Sequence, residues 1–413
     1  MPQALTALIV VAMLSIPAFV CTAAEVSSPP MVSFSGFGTL GLAHSSEGTA
    51  DFTPDQLQPN GSGYTHEWSP DVDSRLGVQA VANFAPHLSA MLQVISEQRY
   101  DDTYKPQVEW ANITYQPSPE FSVRLGRIVL PTFLLSDTRK VGYASPWVRP
   151  PAEVYGLSPI FNSDGADASY KIHVGDVLNT LVGSYGETSF TVPRGGVFEV
   201  KHLWVIADTA EYGALTLHIA FQDASYNDHA LDPLFDAFRQ FGPQGAALAA
   251  TYDLDNKLAQ AITAGAMYDP GKWFATGEWG RRDLHSAYGE STAWYLSGGY
   301  RVARFTPYLT YAEVNARSKT STPGLNVAAL PPELAGLATG LNAGLNALLG
   351  AAAVQHTISV GSRVDVVHNV DLKLQMDHTR LGAGSQGILI NLQPGFQPGG
   401  TVNLLSITID FVW

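Results

Sequence analysis

The sequence is poor in cysteine and in charge. It has one cysteine in 413 residues, Cys21, and only 15% of its residues are charged, whereas 46% are hydrophobic. A soluble protein usually has about a quarter of its residues charged. A disordered chain is excluded because the apolar content is too high. No pair of cysteines exists to form a disulfide. Part of the surface is predicted to face something other than water.

Positive charge is scarcer than negative charge. Lys and Arg number 23 against 37 Asp and Glu, which makes the net charge −14, and the first cation along the chain is Arg75. A chain with this balance repels the phosphate backbone of nucleic acids. Nucleic acid is therefore excluded as a partner.

Long apolar runs are missing after the N-terminus. Residues 4–20 are almost all apolar, with Pro17 near the end, and small residues follow at 22–24. This pattern predicts a signal peptide over residues 1–24, although the usual cation at its start is absent; a membrane anchor is the alternative. No other stretch approaches the roughly 20 apolar residues of a spanning helix. The mature chain, residues 25–413, is predicted to be exported as one domain that contains no cysteine.

Catalytic and metal-binding motifs are also missing. "GFGTLG" at 36–41 matches G-x-G-x-x-G, but it lies in a strand-like segment and no helix follows it. Its glycines are better explained by strand curvature or close packing. No nucleophile elbow, zinc motif or phosphate loop is present. We therefore predict no catalytic residue, no cofactor and no metal site, and we expect that the protein is not an enzyme.

Short segments that alternate apolar and polar residues fill the chain instead. In the C-terminal segment 403–413, Leu405, Ile407, Ile409, Phe411 and Trp413 share one face, and the other face is polar. Such segments run about 10 to 12 residues, the length that a tilted strand needs to cross a bilayer. Short turns alternate with long loops, as in an outer-membrane barrel. A soluble β-sandwich would also alternate, but it explains neither the mid-strand charges nor the aromatic residues on the apolar face.

The number of strands follows from the alternation of the loops. Seventeen segments fit the pattern, but both ends of such a barrel must lie on the same side of the membrane, and the weakest segment is 245–254. We assign it to an external loop, together with a helix in 232–242. A second loop helix is predicted at 331–350, where leucines recur every three or four residues. The predicted fold is all-β: a transmembrane antiparallel β-barrel of 16 strands with short helices in long external loops.

Several segments then resemble a known family. "RLGRIVLPTFLLSDTRKVGYASPWVRPPAEVYG" at 124–156, with "DGADASYKI" at 164–172, looks like the fifth strand, third loop and sixth strand of Gram-negative outer-membrane porins. "YDPGKWFATGEWGRR", "GGYRVARFTPYLTYA" and the terminal "IDFVW" resemble porin hairpins and the porin assembly signal. Two features depart from the family: the third loop lacks a "PEFGG"-like acidic motif, and loops five and seven are predicted to be helical.

The resemblance implies an outer-membrane homotrimer of 16-stranded barrels, each with a third loop, about 129–163, folded inward to narrow the pore. It also implies partners: outer-membrane lipid and lipopolysaccharide, and the barrel-assembly machinery, which would recognise Phe411 and Trp413. The predicted function is passive diffusion of small hydrophilic solutes and ions. A substrate-selective channel is the first alternative, and a barrel hydrolase or an adhesin are the others.

A selectivity filter needs charged side chains opposed across a narrow lumen. Candidates on the third loop and on the strands and loops around it form the predicted constriction: Asp137, Arg139, Lys140, Arg149, Glu153, Arg75, Arg99, Arg124 and Lys171. Neutralising the cations is expected to favour cation passage, and neutralising the acids is expected to oppose it. Arg124 and Arg127 have opposite parity, so only one of them can face the lumen.

Overall fold

The computed structural model describes residues 31–55, 57–193 and 196–413. The predicted signal peptide and Cys21 lie outside these residues. One antiparallel sheet contains sixteen long strands, and the short segment Trp68–Ser69 joins it beside the first strand. The strands are β1 Val32–Ser45, β2 Arg75–Ala85, β3 Leu88–Glu97, β4 Gln107–Tyr115, β5 Phe121–Val129, β6 Asn162–Val174, β7 Val177–Thr191, β8 Val197–Tyr212, β9 Leu215–Asp228, β10 Lys257–Tyr268, β11 Trp273–Leu284, β12 Ser291–Tyr300, β13 Phe305–Ala316, β14 Gln355–Val367, β15 Val370–Leu381 and β16 Thr401–Val412.

The sheet closes on itself through its first strand. Residues 32–39 of β1 pair with β2, and residues 37–45 pair with β16, from Phe37 opposite Val412 to Ser45 opposite Leu404. Every other strand pairs with its neighbours in sequence. Closure leaves no sheet edge, so the strands satisfy each other's backbone groups even in lipid. The predicted all-β barrel of 16 antiparallel strands is confirmed.

Along most strands, exposed apolar side chains on the outer face alternate with buried, mainly polar side chains on the inner face. β8 differs, because Val200 and Val205 are buried inside. On β15, Leu374 and Met376 are exposed, whereas Lys373 and Gln375 are buried. On β16, Ile407 and Ile409 face outward, and Thr408 is buried inside. Because successive side chains along a strand point to opposite faces, the period-two pattern of the sequence assigns each residue to the outer or the inner face of the wall.

Short turns join the strands at one end of the barrel and longer loops join them at the other. The turns 175–176 and 368–369 have two residues each, and Gly175 and Asn369 adopt the positive φ that such tight turns require. The loops at the opposite end are 46–74, 98–106, 130–161, 192–196, 229–256, 285–290, 317–354 and 382–400. By the convention of such barrels, the loop end is extracellular and the turn end is periplasmic.

The described part of the chain has four α-helices, all in loops: α1 Ala152–Tyr155, α2 Asp232–Arg239, α3 Gly242–Tyr252 and α4 Pro332–Gly350. The helices of the fifth and seventh loops pack on each other through Phe235, Phe238, Leu341 and Leu345. Residues 245–254 lie in a loop, as predicted, and most of them form α3, a helix that was not predicted. Among the described residues, no helix is both long enough and apolar enough to span a bilayer.

The glycines of "GFGTLG" make room for the C-terminal aromatic residues. A Cβ at Gly36 would overlap the ring of Trp413, and one at Gly38 would overlap the ring of Phe411. The backbones of Gly36 and Trp413 exchange hydrogen bonds of 3.0 and 3.1 Å. These glycines thus allow close packing at the seam between β1 and β16, on the outer face. The role of Phe411 and Trp413 as an assembly signal stays a prediction.

Candidate functional site

The third loop, residues 130–161, lies inside the barrel. Its two ends meet where the amide of Leu130 donates to the carbonyl of Phe161 over 2.9 Å. Five prolines, at 131, 146, 150, 151 and 159, interrupt any long helix. The loop therefore runs as a series of turns, with a 3₁₀ turn at Gly142–Ala144 and the single turn of α1. Its side chains contact inward-facing residues on opposite sides of the wall.

Aromatic side chains hold the loop against β11 and β12. Trp147 donates from Nε1 to Ser297 Oγ over 2.7 Å, and its ring meets Tyr295 edge-on at 6.0 Å between centroids. Tyr155 donates its hydroxyl to Glu278 over 2.6 Å, and the amide of Leu134 donates to the other oxygen of the same carboxylate over 2.8 Å. This side of the lumen is therefore filled by protein.

Arg149 ties the loop to β15, β16 and the first loop. Its guanidinium donates to both oxygens of Asp73 at 2.8 and 2.5 Å, to Asp377 at 3.2 Å and to Ser406 Oγ at 2.6 Å. Burial opposes its charge, but Asp73 and Asp377 outweigh burial and raise the pKa of Arg149. Because the side chain is buried among these partners, its geometry fits an anchor. That Arg149 lines the constriction stays a prediction.

The 3₁₀ turn of the loop is held by two wall cations. Lys373, fully buried on β15, donates to the carbonyl of Gly142 over 2.6 Å and pairs with Asp410 at 2.9 Å. Arg363 on β14 donates to the carbonyl of Tyr143 over 2.5 Å. Neither cation was among the candidates, although the alternation of β15 already placed Lys373 on the polar face.

Glu153 lies on the same side, against β14. One of its oxygens, Oε1, accepts from Gln355 Nε2 at 2.8 Å and from the hydroxyl of Thr357. Burial raises the pKa of Glu153, and these two hydrogen bonds act in the opposite direction. Within the described residues no cation pairs with it. Glu153 lies near Arg149, with which it borders a small cavity, but apart from Arg139 and Lys140.

Arg139 and Lys140 face β3 and β4, where two carboxylates meet them. Lys140 Nζ lies 2.5 Å from Glu97 and 3.0 Å from Glu109, and Arg139 lies 3.6 Å from Glu109. Burial lowers the pKa of Lys140, but Glu109 and Glu97 more than compensate and raise it. Arg75 approaches Glu97 at 4.0 Å. Three predicted cations thus share two acids, Glu97 and Glu109, that were not among the candidates.

A cavity of about 360 Å³ opens beside this cluster. It reaches the extracellular side, because Asp55 of the first loop and Arg99 of the second also line it. Arg99 Nε is buried without a hydrogen-bond partner. Five of the nine predicted constriction residues border this one cavity: Arg75, Arg99, Arg139, Lys140 and Arg149. The cavity, with the loop as one wall, is the candidate functional site.

Three further candidates, Arg124, Asp137 and Lys171, do not border this cavity. Arg124 faces inward and pairs with Asp167 through two nitrogens, with a closest distance of 2.5 Å. Asp137 is exposed on the loop, and the charges that act on it are those of Arg124 and Asp167. Lys171 is exposed, three residues before the end of β6. The structure therefore brings Asp137 and Arg124 together but places Lys171 apart from the loop cluster.

The structure shows which of Arg124 and Arg127 faces the lumen. Its neighbour Leu125 is exposed on the outer face, and Arg127 has the same parity. Arg127 pairs with Asp164 at 2.6 Å and donates to the carbonyl of Val108 at 3.2 Å. Arg124 is thus the arginine of β5 that faces the lumen.

Solved outer-membrane proteins share this architecture. OmpF of Salmonella typhi, in a complex with daunomycin, has a TM-score of 0.54 and 9% identity over 92% of this chain and 97% of its own. An anion-selective porin from Comamonas acidovorans has a TM-score of 0.52 and 12% identity over 92% and 99%. The trimer form of in-vitro folded OmpT, an outer membrane protein of Vibrio cholerae, has the same values. No protein-family model and no curated protein matches the sequence. At these identities the likeness shows a common fold.

Proposed function

We propose that this chain, which has the fold of the outer-membrane porins, lies in the outer membrane of a Gram-negative cell and forms a water-filled channel. Small hydrophilic solutes and ions would diffuse through it passively. The observation that carries the proposal is the third loop inside the closed barrel, which leaves beside it a cavity lined by opposed charges. Exposed apolar side chains on the outer face, such as Leu296 and Val360, fit a lipid environment.

The cavity beside the third loop forms the proposed passage, and the net charge of its lining differs from that of the whole chain. Arg149 is engaged by Asp73 and Asp377, and Arg127 is paired on the outer face. The other charged side chains that line the cavity are the cations Arg75, Arg99, Arg139 and Lys140 and the acids Asp55, Glu97 and Glu109. The passage is therefore close to neutral, with a small cationic excess, although the chain carries −14. Low-dielectric walls strengthen the field of these groups, so they are proposed to set ion selectivity.

A homotrimer is the assembly that we propose, supported by the trimer form of OmpT from Vibrio cholerae. Outer-membrane lipid, lipopolysaccharide and the barrel-assembly machinery are the proposed partners of the outer face. The proposal includes no catalytic step and no cofactor. A barrel hydrolase and an adhesin are the competing classes, and both predict a barrel that carries no current.

Single-channel recording of the refolded protein in planar bilayers tests the proposal. We expect stable open channels, and we expect Lys140→Gln to move the reversal potential in a KCl gradient towards cation preference. Glu109→Gln should move it the other way. Both shifts should shrink in molar KCl, where screening acts over about 3 Å.

Arg281→Gln is the matched control for these recordings. Arg281 has the outward parity of Trp279 on β11 and pairs there with Asp283 at 2.8 Å. Its replacement removes the same charge without touching the lumen, so selectivity should not change. A wild-type barrel that inserts but conducts no ions would refute the proposal.

A further inference from the structure

A second cavity, of about 640 Å³, lies at the extracellular end of the lumen. Leu157 and Pro159 of the third loop border it on one side, and the extracellular ends of β7 to β11 form its wall. Ala347 of α4 and Leu392 of the eighth loop border it as well. Its volume falls in the range of small-molecule sites, about 300–1,000 Å³.

The wall of this cavity is largely apolar and aromatic. Phe190 stacks on Phe198 at 5.2 Å between ring centroids, and Tyr226 meets Phe198 edge-on at 5.5 Å. Tyr288 contacts the same ring at 6.2 Å. Such a cluster offers ring faces and edges to an apolar or aromatic solute. A solute without an apolar part would leave these rings without a contact.

Arg282 is the one charged side chain among the described residues that line the cavity. It faces inward on β11 and donates to the carbonyls of Leu157 at 3.2 Å and Tyr288 at 3.1 Å. Its Nε is buried and has no hydrogen-bond partner. In the part of the chain that the structure describes, no carboxylate forms an ion pair with it.

Tyr226 adds a second polar group beside Arg282. Its hydroxyl accepts a hydrogen bond from Gln222 Nε2 at 3.3 Å, so the hydroxyl proton is left to donate to a ligand. The nearest acid of the aromatic cluster, Asp228, is already engaged by the hydroxyl of Tyr288 at 2.6 Å and by the amide of Ala230 at 3.0 Å.

A guanidinium held in apolar surroundings without a counter-ion is costly, and the cost falls when an anion pairs with it. We propose that this cavity binds a small solute that carries a carboxylate on an aromatic or apolar body. Arg282 pairs with the carboxylate, Tyr226 donates to it, and the rings around Phe198 hold the body. This inference rests on the proposed channel function and makes the channel selective.

The position of the cavity connects it with the passage. The two cavities share Gln58, Ser158, Pro159 and Phe190 among their lining residues. A solute bound at Arg282 therefore lies next to the entrance that Arg99, Arg139 and Lys140 border. The site would capture an anionic solute from the outside and hold it beside the constriction.

Isothermal titration of the refolded barrel with 3-phenylpropionate tests the site. Its amide, 3-phenylpropionamide, keeps the ring and removes the charge, and acetate keeps the charge and removes the ring. We expect wild-type protein to bind the acid well and both analogues poorly. Arg282→Gln should weaken binding of the acid about tenfold to hundredfold, the effect of losing charged hydrogen bonds. Arg281→Gln, the adjacent outward arginine, should bind as wild type does.

Single-channel recording separates this inference from the channel proposal. Without solute, Arg281→Gln should conduct KCl as wild type does. 3-Phenylpropionate should interrupt the current of wild type and of Arg281→Gln but not that of Arg282→Gln. Channels that open normally but bind the acid no better than the amide would overturn the site and leave the channel intact. Equal loss of binding in Arg281→Gln would also overturn it. If Arg282→Gln fails to fold, Tyr226→Phe decides: unchanged affinity for the acid would contradict the proposed contact.

Discussion

Replacing Arg149 with alanine is expected to release the third loop from the barrel wall. Arg149 joins the segment before β2 to β15 and β16, through Asp73, Asp377 and Ser406. The strands do not depend on it, because their backbone hydrogen bonds run between neighbouring strands. The barrel should therefore persist while the loop position changes.

The size of the effect follows from the two carboxylates that remain. Asp73 is 1% exposed and Asp377 is 6% exposed, so Arg149→Ala leaves both buried without their cation. Removing one partner of a buried ion pair costs about 3–5 kcal/mol. Each 1.4 kcal/mol is a factor of ten. The equilibrium between docked and released loop should therefore shift about a hundredfold to a thousandfold or more towards release.

Single-channel conductance measures this shift directly. The Arg149→Ala channel should show larger and more variable conductance than wild type, because the released loop no longer narrows the lumen in one position. Arg149→Lys should lie in between, since it keeps the charge but cannot make the bidentate contact. Arg281→Ala, which removes an exposed ion pair on the outer face, is the control. The control should match wild type in conductance and thermal stability. If Arg149→Ala matched wild type as well, the anchoring role would be refuted.

Three further predictions concern assembly, topology and pH. Gly36→Val should lower the yield of heat-modifiable barrel, because the new side chain would overlap the ring of Trp413. Deletion of 411–413 should do the same. Undiminished folded barrel from both variants would contradict a structural role for this contact. A tag in 382–400 should be labelled on intact cells and one in 269–272 should not, and the reverse result would invert the topology. Burial raises the pKa of Glu153 above its value in the unfolded chain, so its contribution to stability is fully present below the unfolded pKa and is lost as pH rises through the folded pKa. Glu153→Gln can keep both hydrogen bonds to Oε1, and its melting temperature should exceed that of wild type by a margin that grows from acid to neutral pH; a margin that does not change with pH would argue against a buried carboxylate.

The barrel wall could be predicted from the sequence because the alternation that marks each strand can be read within that strand alone. Side chains alternate along a strand whatever the neighbouring strand is, so the pattern in β15 and β16 alone assigns Leu374 and Ile407 to lipid and Lys373 and Thr408 to the interior. Turn lengths and the helical spacing of α2 and α4 are likewise read within a short stretch of chain. The exclusion of 245–254 from the wall needed only the rule that both ends of the barrel lie on the same side.

The candidate site could be predicted only in part. The third loop and its cations stand out in the sequence, but their partners do not. Arg149 meets Asp73 and Asp377, which lie 76 and 228 residues away, and Glu153 lies against β14 rather than beside Arg139. An alternating pattern places a side chain inside the barrel without indicating which part of the loop it meets.

The sequence by itself thus determined the wall: the strands, their inward and outward faces, and the loops that carry helices. The tertiary structure alone decided how the lumen is filled, which cations anchor the loop and which border the passage. It also decided that Arg282 lies among aromatic side chains and forms no ion pair with a carboxylate of the described residues. The physical reason is that strand periodicity is a short-range property of the backbone, whereas pairing inside the lumen depends on where closure of the sheet brings distant residues together.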